Sequence, residues 1–204
     1  MILVTGATGF VGRAVVRRLT NEQHETTCLL RPSRREQRLA TGVSFCTVSA
    51  SMNDLPALRT AMQNVEVIVH MTGEEDLDRE GILRDHVQDT ANLITAAQEA
   101  GVQRFIYLSH TEADRTSAYP LLRARGEGEA LVRESGLNTT ILRAPLIYGP
   151  EDFSTNVLVM LTKMMPDAAK RLMNLAQEDT NARWRFYEQL AALDYSKNGK
   201  PEGK

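Results

Sequence analysis

The stretch Met1-Ile-Leu-Val4, Thr5-Gly-Ala-Thr8, Gly9-Phe-Val-Gly12 decides the fold. Its apolar start reads as a buried strand over residues 2–5, and the glycines read as a tight turn opening a helix near Phe10. Gly6 permits the turn, Gly9 leaves room for a pyrophosphate to approach the backbone, and Gly12 lets the helix lie close to the strand. Backbone N–H groups and a helix N-terminus are thereby aimed at a bound anion. A glycine weakens any regular element that contains it, so three at three-residue spacing mark a constraint on the backbone.

Outward from this stretch, strands and helices alternate. The spacing predicts a helix over residues 10–20, with Val11, Ala14, Val15 and Leu19 on its apolar side, and a second strand over 26–30. A short basic helix around 33–39 leads to a third strand over 43–48. Asp54 is placed to cap the next helix, where Leu55, Leu58, Ala61 and Met62 repeat at helical spacing. The nearly continuous apolar run 65–71 predicts a strand covered on both faces. A helix over 82–100 stops at Gly101, a strand follows over 104–109, a helix over 120–134 stops at Gly136, and a sixth strand spans 139–143. Regular alternation of this kind predicts an α/β fold over residues 1–150, a doubly wound parallel sheet with helices on both faces.

The pattern changes after Pro150. Residues 156–165 read as an apolar helix that Pro166 interrupts, and 167–193 are helical in composition, so 151–195 is expected to be a short helical extension. There Trp184, Phe186, Tyr187 and Leu190 offer an apolar face suited to packing or to a homo-oligomer. Residues 196–204 read as a disordered tail.

The 204 residues carry a formal net charge of −2, which gives no electrostatic reason to expect nucleic acid. Cys28 and Cys46 lie in apolar runs and read as small buried thiols of a reducing compartment. His24, His70, His86 and His110 show no metal-ligand spacing, so no metal site is expected. His70, inside an apolar run, reads as a satisfied core residue, and loop residue His110 reads as polar surface. The N-terminus shows no signal-peptide succession and no apolar run is long enough to span a bilayer, so a cytoplasmic location is expected.

Four motifs in order make the first 150 residues resemble the atypical short-chain dehydrogenase/reductase superfamily, in particular its NmrA-like, NAD(P)H-binding members. They are the turn from Thr5 to Gly12, Arg104-Phe-Ile-Tyr-Leu-Ser109, Arg125-Gly-Glu-Gly-Glu129, and Ile141-Leu-Arg-Ala-Pro-Leu-Ile-Tyr-Gly-Pro150. The resemblance implies a Rossmann-type fold with a dinucleotide over Gly6, Ala7, Thr8, Gly9, Phe10, Val11 and Gly12. It also implies cofactor contacts from Thr72 and Gly73 after the fourth strand, and from Pro145, Leu146 and Ile147 after the sixth. An NAD site commonly ends the second strand with an acid, but this chain has Arg31, with Arg34 close by. A guanidinium matches a 2′-phosphate, so NADP(H) is expected over NAD(H), which stays possible. Where the family often places an adenine-binding Asp after the third strand, this chain has Ser51, which keeps an acceptor and loses the charge.

In the family, a tyrosine passes a proton to or from the substrate oxygen while a lysine orients the ribose and lowers the tyrosine pKa. Tyr119 is the proton-transfer candidate here, with Ser109 as the hydroxyl partner, although His110 and Thr111 compete for that position. The two places where the lysine is expected hold Arg123 and Arg125, of which Arg125 is the ribose-contacting candidate. An oxidoreductase or isomerase acting on a small carbonyl or quinone compound is implied, and the alternative is a non-catalytic NAD(P)H sensor or assembly module. The curtailed segment after Tyr148-Gly-Pro150 reads as truncated, fused or spliced relative to the family's substrate lobe. Such a lobe would leave the nicotinamide end open to water.

Overall fold

Among the described residues through 144, six strands and four helices follow one another, alternating except between β2 and β3: β1 (Ile2–Thr5), α1 (Phe10–Asn21), β2 (Thr26–Leu30), β3 (Cys46–Ser49), α2 (Leu55–Ala61), β4 (Val67–His70), α3 (Arg79–Glu99), β5 (Arg104–His110), α4 (Pro120–Glu134) and β6 (Thr139–Ala144). The structure is a computed structural model. It describes residues 1–33, 37–71, 79–145, 147–149, 151–152, 156–157 and 159–160, with the backbone alone at 79–85. The chain divides into two compact units, Met1–Ile147 and Tyr148–Lys204. In the second unit, residues 156, 157, 159 and 160 are helical. The expected extension over 167–193, its aromatic face and the tail lie outside the described residues.

All strand pairs are parallel, in the order β3-β2-β1-β4-β5-β6. This is the doubly wound order, and its connections reverse direction between β1 and β4. Beyond the carboxyl ends of those two strands a crevice is left that no crossover fills. Side chains alternate across the sheet, so neighbours on β1 serve different cores. Leu3 packs with Leu58 of α2, Leu93 of α3, Val132 of α4, Phe105 and Tyr107. Val4 packs with Ala7, Val16 of α1 and Cys28. Each fully buried side chain of this size stabilises the fold by about 1.5–3 kcal/mol.

Local chemistry accounts for the element ends. The Asp54 carboxylate accepts the Ala57 N–H at 3.0 Å, capping α2 as expected. Gly101 and Gly136, with φ of +69° and +70°, follow α3 and α4 in the left-handed conformation.

Several expectations need correction. Ala14 is exposed, and α1 instead buries Gly12 and Val16, with Val11, Val15 and Leu19 partly covered. Because Gly12 makes the tightest approach, the helix rolls that side inward, and Ala14, two residues on, points away. Cys46 is exposed because β3 is an edge strand, whereas Cys28 is buried and its thiol is pushed up to about 11, chiefly by burial. The third strand begins at Cys46, although Val43 and Phe45 still pack on the α1-side core. Residues 37–39 are not helical, and 34–36 lie outside the described residues. Among the described residues no helix is long and apolar enough to cross a membrane, and no cluster of ligating side chains suits a metal ion.

Candidate functional site

The glycine turn lies at the carboxyl end of β1. Gly6 takes φ +72°, and its carbonyl accepts the Gly9 N–H at 3.1 Å, closing the turn. A Cβ on Gly12 would lie 2.0 Å from Gly6 O and 2.8 Å from Ala7 Cα. Gly12 therefore lets α1 pack on the turn backbone itself. Gly9 differs: it is exposed, extended at φ −71° and ψ 166°, and a Cβ there would sit 3.4 Å from Gly6 O. Its own fold barely requires a glycine, which suits a position kept bare for something outside the chain. The N-cap of α1 is Gly9, which carries no side chain, and no acid stands in the first turn, so the helix supplies no anion of its own at its positive end. Arg13 steadies the turn by donating from Nη1 to Thr8 O at 2.6 Å. Ala7 is buried in the core, while Thr8, Phe10 and Val11 are half-buried.

Beyond the carboxyl ends of β2 and β3 lies a cleft of about 270 Å³ lined by Arg31, Pro32, Ser51, Met52, Asn53 and Asp89. It brings together Arg31 and Ser51, both singled out from sequence. Arg31 Nη2 lies 3.1 Å from Asp89 Oδ2, an ion pair in which Arg31 is about half exposed and Asp89 is only 6% exposed. The Ser51 hydroxyl accepts the Asn53 N–H at 3.3 Å.

Behind the turn runs a chain of hydrogen bonds that fixes the state of His70, which is fully buried. Met71 N–H donates to Thr5 Oγ1 at 3.3 Å, and Thr5 Oγ1 lies 2.7 Å from His70 Nδ1. On the other side, His70 Nε2 lies 3.1 Å from Thr90 Oγ1, whose hydroxyl donates to His86 O at 2.8 Å. With Thr90 already donating, it accepts from an Nε2–H, leaving His70 Nδ1 to accept from Thr5. The imidazole is thus neutral, and burial, then Arg125 and Arg31, push it down to about 3.

Arg125, at the centre of this end of α4, donates from Nη1 to Leu108 O at 3.0 Å. Beside it, Tyr107 Oη lies 2.9 Å from His86 Nε2, and burial raises the phenol while Arg125 opposes the shift. His86 is held well below the ordinary histidine range, first by burial and then by Arg125. A Cβ on Gly128 would meet Tyr107 Oη at 2.3 Å, and one on Gly126 would meet Arg115 N at 2.5 Å. Both glycines of Arg125-Gly-Glu-Gly-Glu129 thus serve packing, one against β5 and one against the loop before α4.

Glu129, 1% exposed, completes that motif. Its oxygens accept from Arg143 Nε at 2.8 Å and Nη2 at 2.6 Å, and from Arg133 Nη2 at 2.6 Å. Burial opposes its ionisation, but these bonds win and hold the carboxyl below its ordinary value. Ser109 is buried beside Glu129, close enough to favour the carboxylate, without a hydrogen bond of good geometry.

Tyr119 is half-buried at the start of α4, its N–H bonded to Ser117 Oγ at 3.2 Å. Arg123 Nη1 donates to Ser117 O at 3.3 Å, so both arginines at the lysine positions are engaged by backbone carbonyls. His110 is half-buried rather than surface, accepts the Glu112 N–H at Nδ1 over 3.0 Å, and is lowered mainly by burial. Thr111, Pro145 and Ile147 are exposed. Arg34, Thr72, Gly73 and Leu146 lie outside the described residues.

The family pattern described as NAD(P)H-binding matches residues 6–170. The chain belongs to the NAD(P)H-binding family. Among its relatives, the photosystem II assembly factor Ycf39 of Cyanophora paradoxa is 31% identical over 143 residues, covering 70% of this chain and 44% of that protein. A ceramide reductase of Caulobacter vibrioides is 30% identical over 172 residues, covering 81% and 52%. The chain thus spans about half the length of these curated relatives. Among solved structures, a short-chain dehydrogenase/reductase superfamily protein from Agrobacterium tumefaciens, crystallised with bound NAD, superposes with a TM-score of 0.60 at 27% identity, covering 85% of this chain and 62% of that one. The resemblance to NmrA-like members of the superfamily therefore holds, and the glycine turn of this NAD(P)H-binding protein has the setting its motif implies.

Sequence reading missed Asp89, Tyr107, His86 and Arg13 around the candidate site of this NAD(P)H-binding family member. Arg13 carried a signal, since it lies four residues beyond Gly9 on α1. Asp89 carried none, because only the sheet order brings the middle of α3 to the end of β2.

Proposed function

We propose that this chain binds NADP(H) in preference to NAD(H) and uses it in an oxidoreductase or isomerase reaction on a small carbonyl or quinone compound. The observation that carries the binding is the N-terminus of α1, with a glycine as its N-cap and no acid in its first turn, above a turn whose Gly12 leaves no space for a Cβ. Donors there suit a pyrophosphate, and the neighbouring cleft with Arg31 and Ser51 suits the adenosine end. The NAD bound in the Agrobacterium structure supports a dinucleotide at this turn. When bound, the nicotinamide supplies or accepts a hydride. In this reading Gly6, Gly9 and the first turn of α1 hold the diphosphate, Arg31 favours a 2′-phosphate, and Thr72, Gly73, Pro145, Leu146 and Ile147 flank the other end. Tyr119 Oη transfers the substrate proton, and Arg125, anchored on Leu108 O, presents its charge to the ribose.

A second reading, a non-catalytic sensor or assembly module, has its own support. Ser109 is buried beside Glu129, and Arg123 and Arg125 each spend donors on backbone carbonyls. The assembly-factor relative points the same way. Fluorescence titration with NADPH and NADH, followed by a turnover assay over quinones and aldehydes, separates the readings. Binding with NADPH oxidation supports the enzyme, and binding without turnover across the panel supports the module. No binding of either dinucleotide refutes both.

A further inference from the structure

Within that dinucleotide reading, Arg31 and Asp89 stand as an opposed pair in one cleft. NAD sites commonly place a carboxylate at the end of β2 to accept the ribose hydroxyls, and NADP sites use a guanidinium for the 2′-phosphate. This chain has the guanidinium on β2, yet the carboxylate is present too, delivered from α3 across 58 residues of sequence and ion-paired to it at 3.1 Å. The positions 31 and 89 give that separation. Asp89 is the acid lining the cleft, and it is almost wholly withdrawn from water, so its charge acts there with little screening. Arg31 is about half exposed and meets Asp89 through Nη2, at one corner of a fork with five donors.

We infer that Asp89 is a specificity-determining residue: its carboxylate accepts the ribose hydroxyls of NAD(H) and repels the 2′-phosphate of NADP(H), while Arg31 does the reverse. The chain therefore accepts both dinucleotides, and the two side chains set the balance. Ser51, bonded to the Asn53 N–H, lines the same cleft as a neutral acceptor for the adenine edge and leaves the charge of the subsite to the pair.

The test is titration of the full chain with NADPH and with NADH, read as the ratio of the two dissociation constants. A folding defect lowers binding-competent protein for both ligands and leaves the ratio unmoved. Asp89→Asn keeps the shape and removes the charge, and shifts the ratio toward NADPH by about tenfold, the scale of one charge-assisted hydrogen bond. Arg31→Gln shifts it toward NADH by about the same factor. A ratio within threefold of wild type in Asp89→Asn, or a shift in the same direction for both variants, overturns the inference. Should Asp89→Asn fail to fold, the exposed Arg31→Gln carries the test, and an unchanged ratio there overturns it as well. Wild-type protein that binds neither dinucleotide overturns the proposed function itself, a failure distinct from an unmoved ratio.

Discussion

Lowering the pH below neutrality should destabilise this fold through His70. In the unfolded chain a histidine takes up its proton near pH ~6.5. In the folded protein the group is pushed down to about 3, because charging it would bury a cation and turn Nδ1 into a second donor facing the Thr5 hydroxyl. The folded-state pKa is depressed, so the unfolded state binds more protons between these values. The stability is fully present above the ordinary value and is lost as pH falls. Between about pH 7.5 and about pH 5 the loss from this one group is about 2 kcal/mol, and it reaches ~4 kcal/mol near pH ~3. His86 and His110, both lowered by burial, add in the same direction. The stability that Glu129 contributes is present above the ordinary carboxylate range and is lost only as pH falls through that range and below it, so the window isolates the histidines. Urea unfolding of wild type and His70→Gln at the two pH values is the assay. The variant is less stable at pH ~7.5, having lost a two-sided hydrogen-bonded core residue, but its drop between the two conditions is smaller by about 2 kcal/mol. Equal drops in the two proteins, within the ~0.5 kcal/mol uncertainty of such extrapolations, would refute the neutral, Nε2-protonated assignment.

Gly12→Ala places a methyl 2.0 Å from Gly6 O, so a loss of about 3 kcal/mol or more is expected in urea melts, with dinucleotide binding abolished. Gly9→Ala, where the space is ordinary, should shift stability by less than about 1 kcal/mol yet weaken NADPH binding several-fold; unchanged binding would count against a diphosphate at this turn. Glu129→Gln strands Arg133 and Arg143, both near half exposed and able to rehydrate. A cost of about 2–3 kcal/mol at neutral pH is expected, fading toward acid as the wild-type carboxyl protonates, and a pH-independent cost would contradict the ion-pair account. Gly128→Ala drives a methyl into Tyr107 Oη and should cost about 1–3 kcal/mol with a change in tyrosine near-ultraviolet dichroism; a silent spectrum would show that the ring stays where it is.

Local signals made much of this architecture legible. Residues 2–5, 26–30 and 120–134 form the elements their patterns predict, because turn glycines, Pro120 and apolar spacing agree there. Asp54 caps α2 for the reason its position suggests, a short side chain reaching back to a free N–H. Periodicity failed where tertiary packing chose the face. Ala14 and Val16 are both apolar, and only the approach at Gly12 decides which is buried. Cys46 looks like core in one dimension and is edge in three. The candidate site divides in the same way. Gly6, Gly9, Gly12 and Arg31 announce themselves by their distance from strand ends, and Ser51 by the family resemblance. Asp89, the Glu129–Arg143 pair and the Thr5–His70–Thr90 link are made by residues whose partners lie on other elements, and no spacing rule reaches them.

The place of β1 in the sheet bears on how the protein comes to exist at all. It precedes the other described strands, yet it is hydrogen-bonded on both sides, and its β4 partner is 65 residues away at the Thr5–His70 contact. The central strand therefore cannot be completed by any local event. Such long-range parallel pairing places the chain among slow folders, since loop-closure entropy is lost before the contacts form. The base of the glycine turn is set only when β4 arrives, so binding competence and completion of the sheet are one event. A dinucleotide that recognises only the finished turn then acts as a folding ligand, drawing the population toward the native state by mass action.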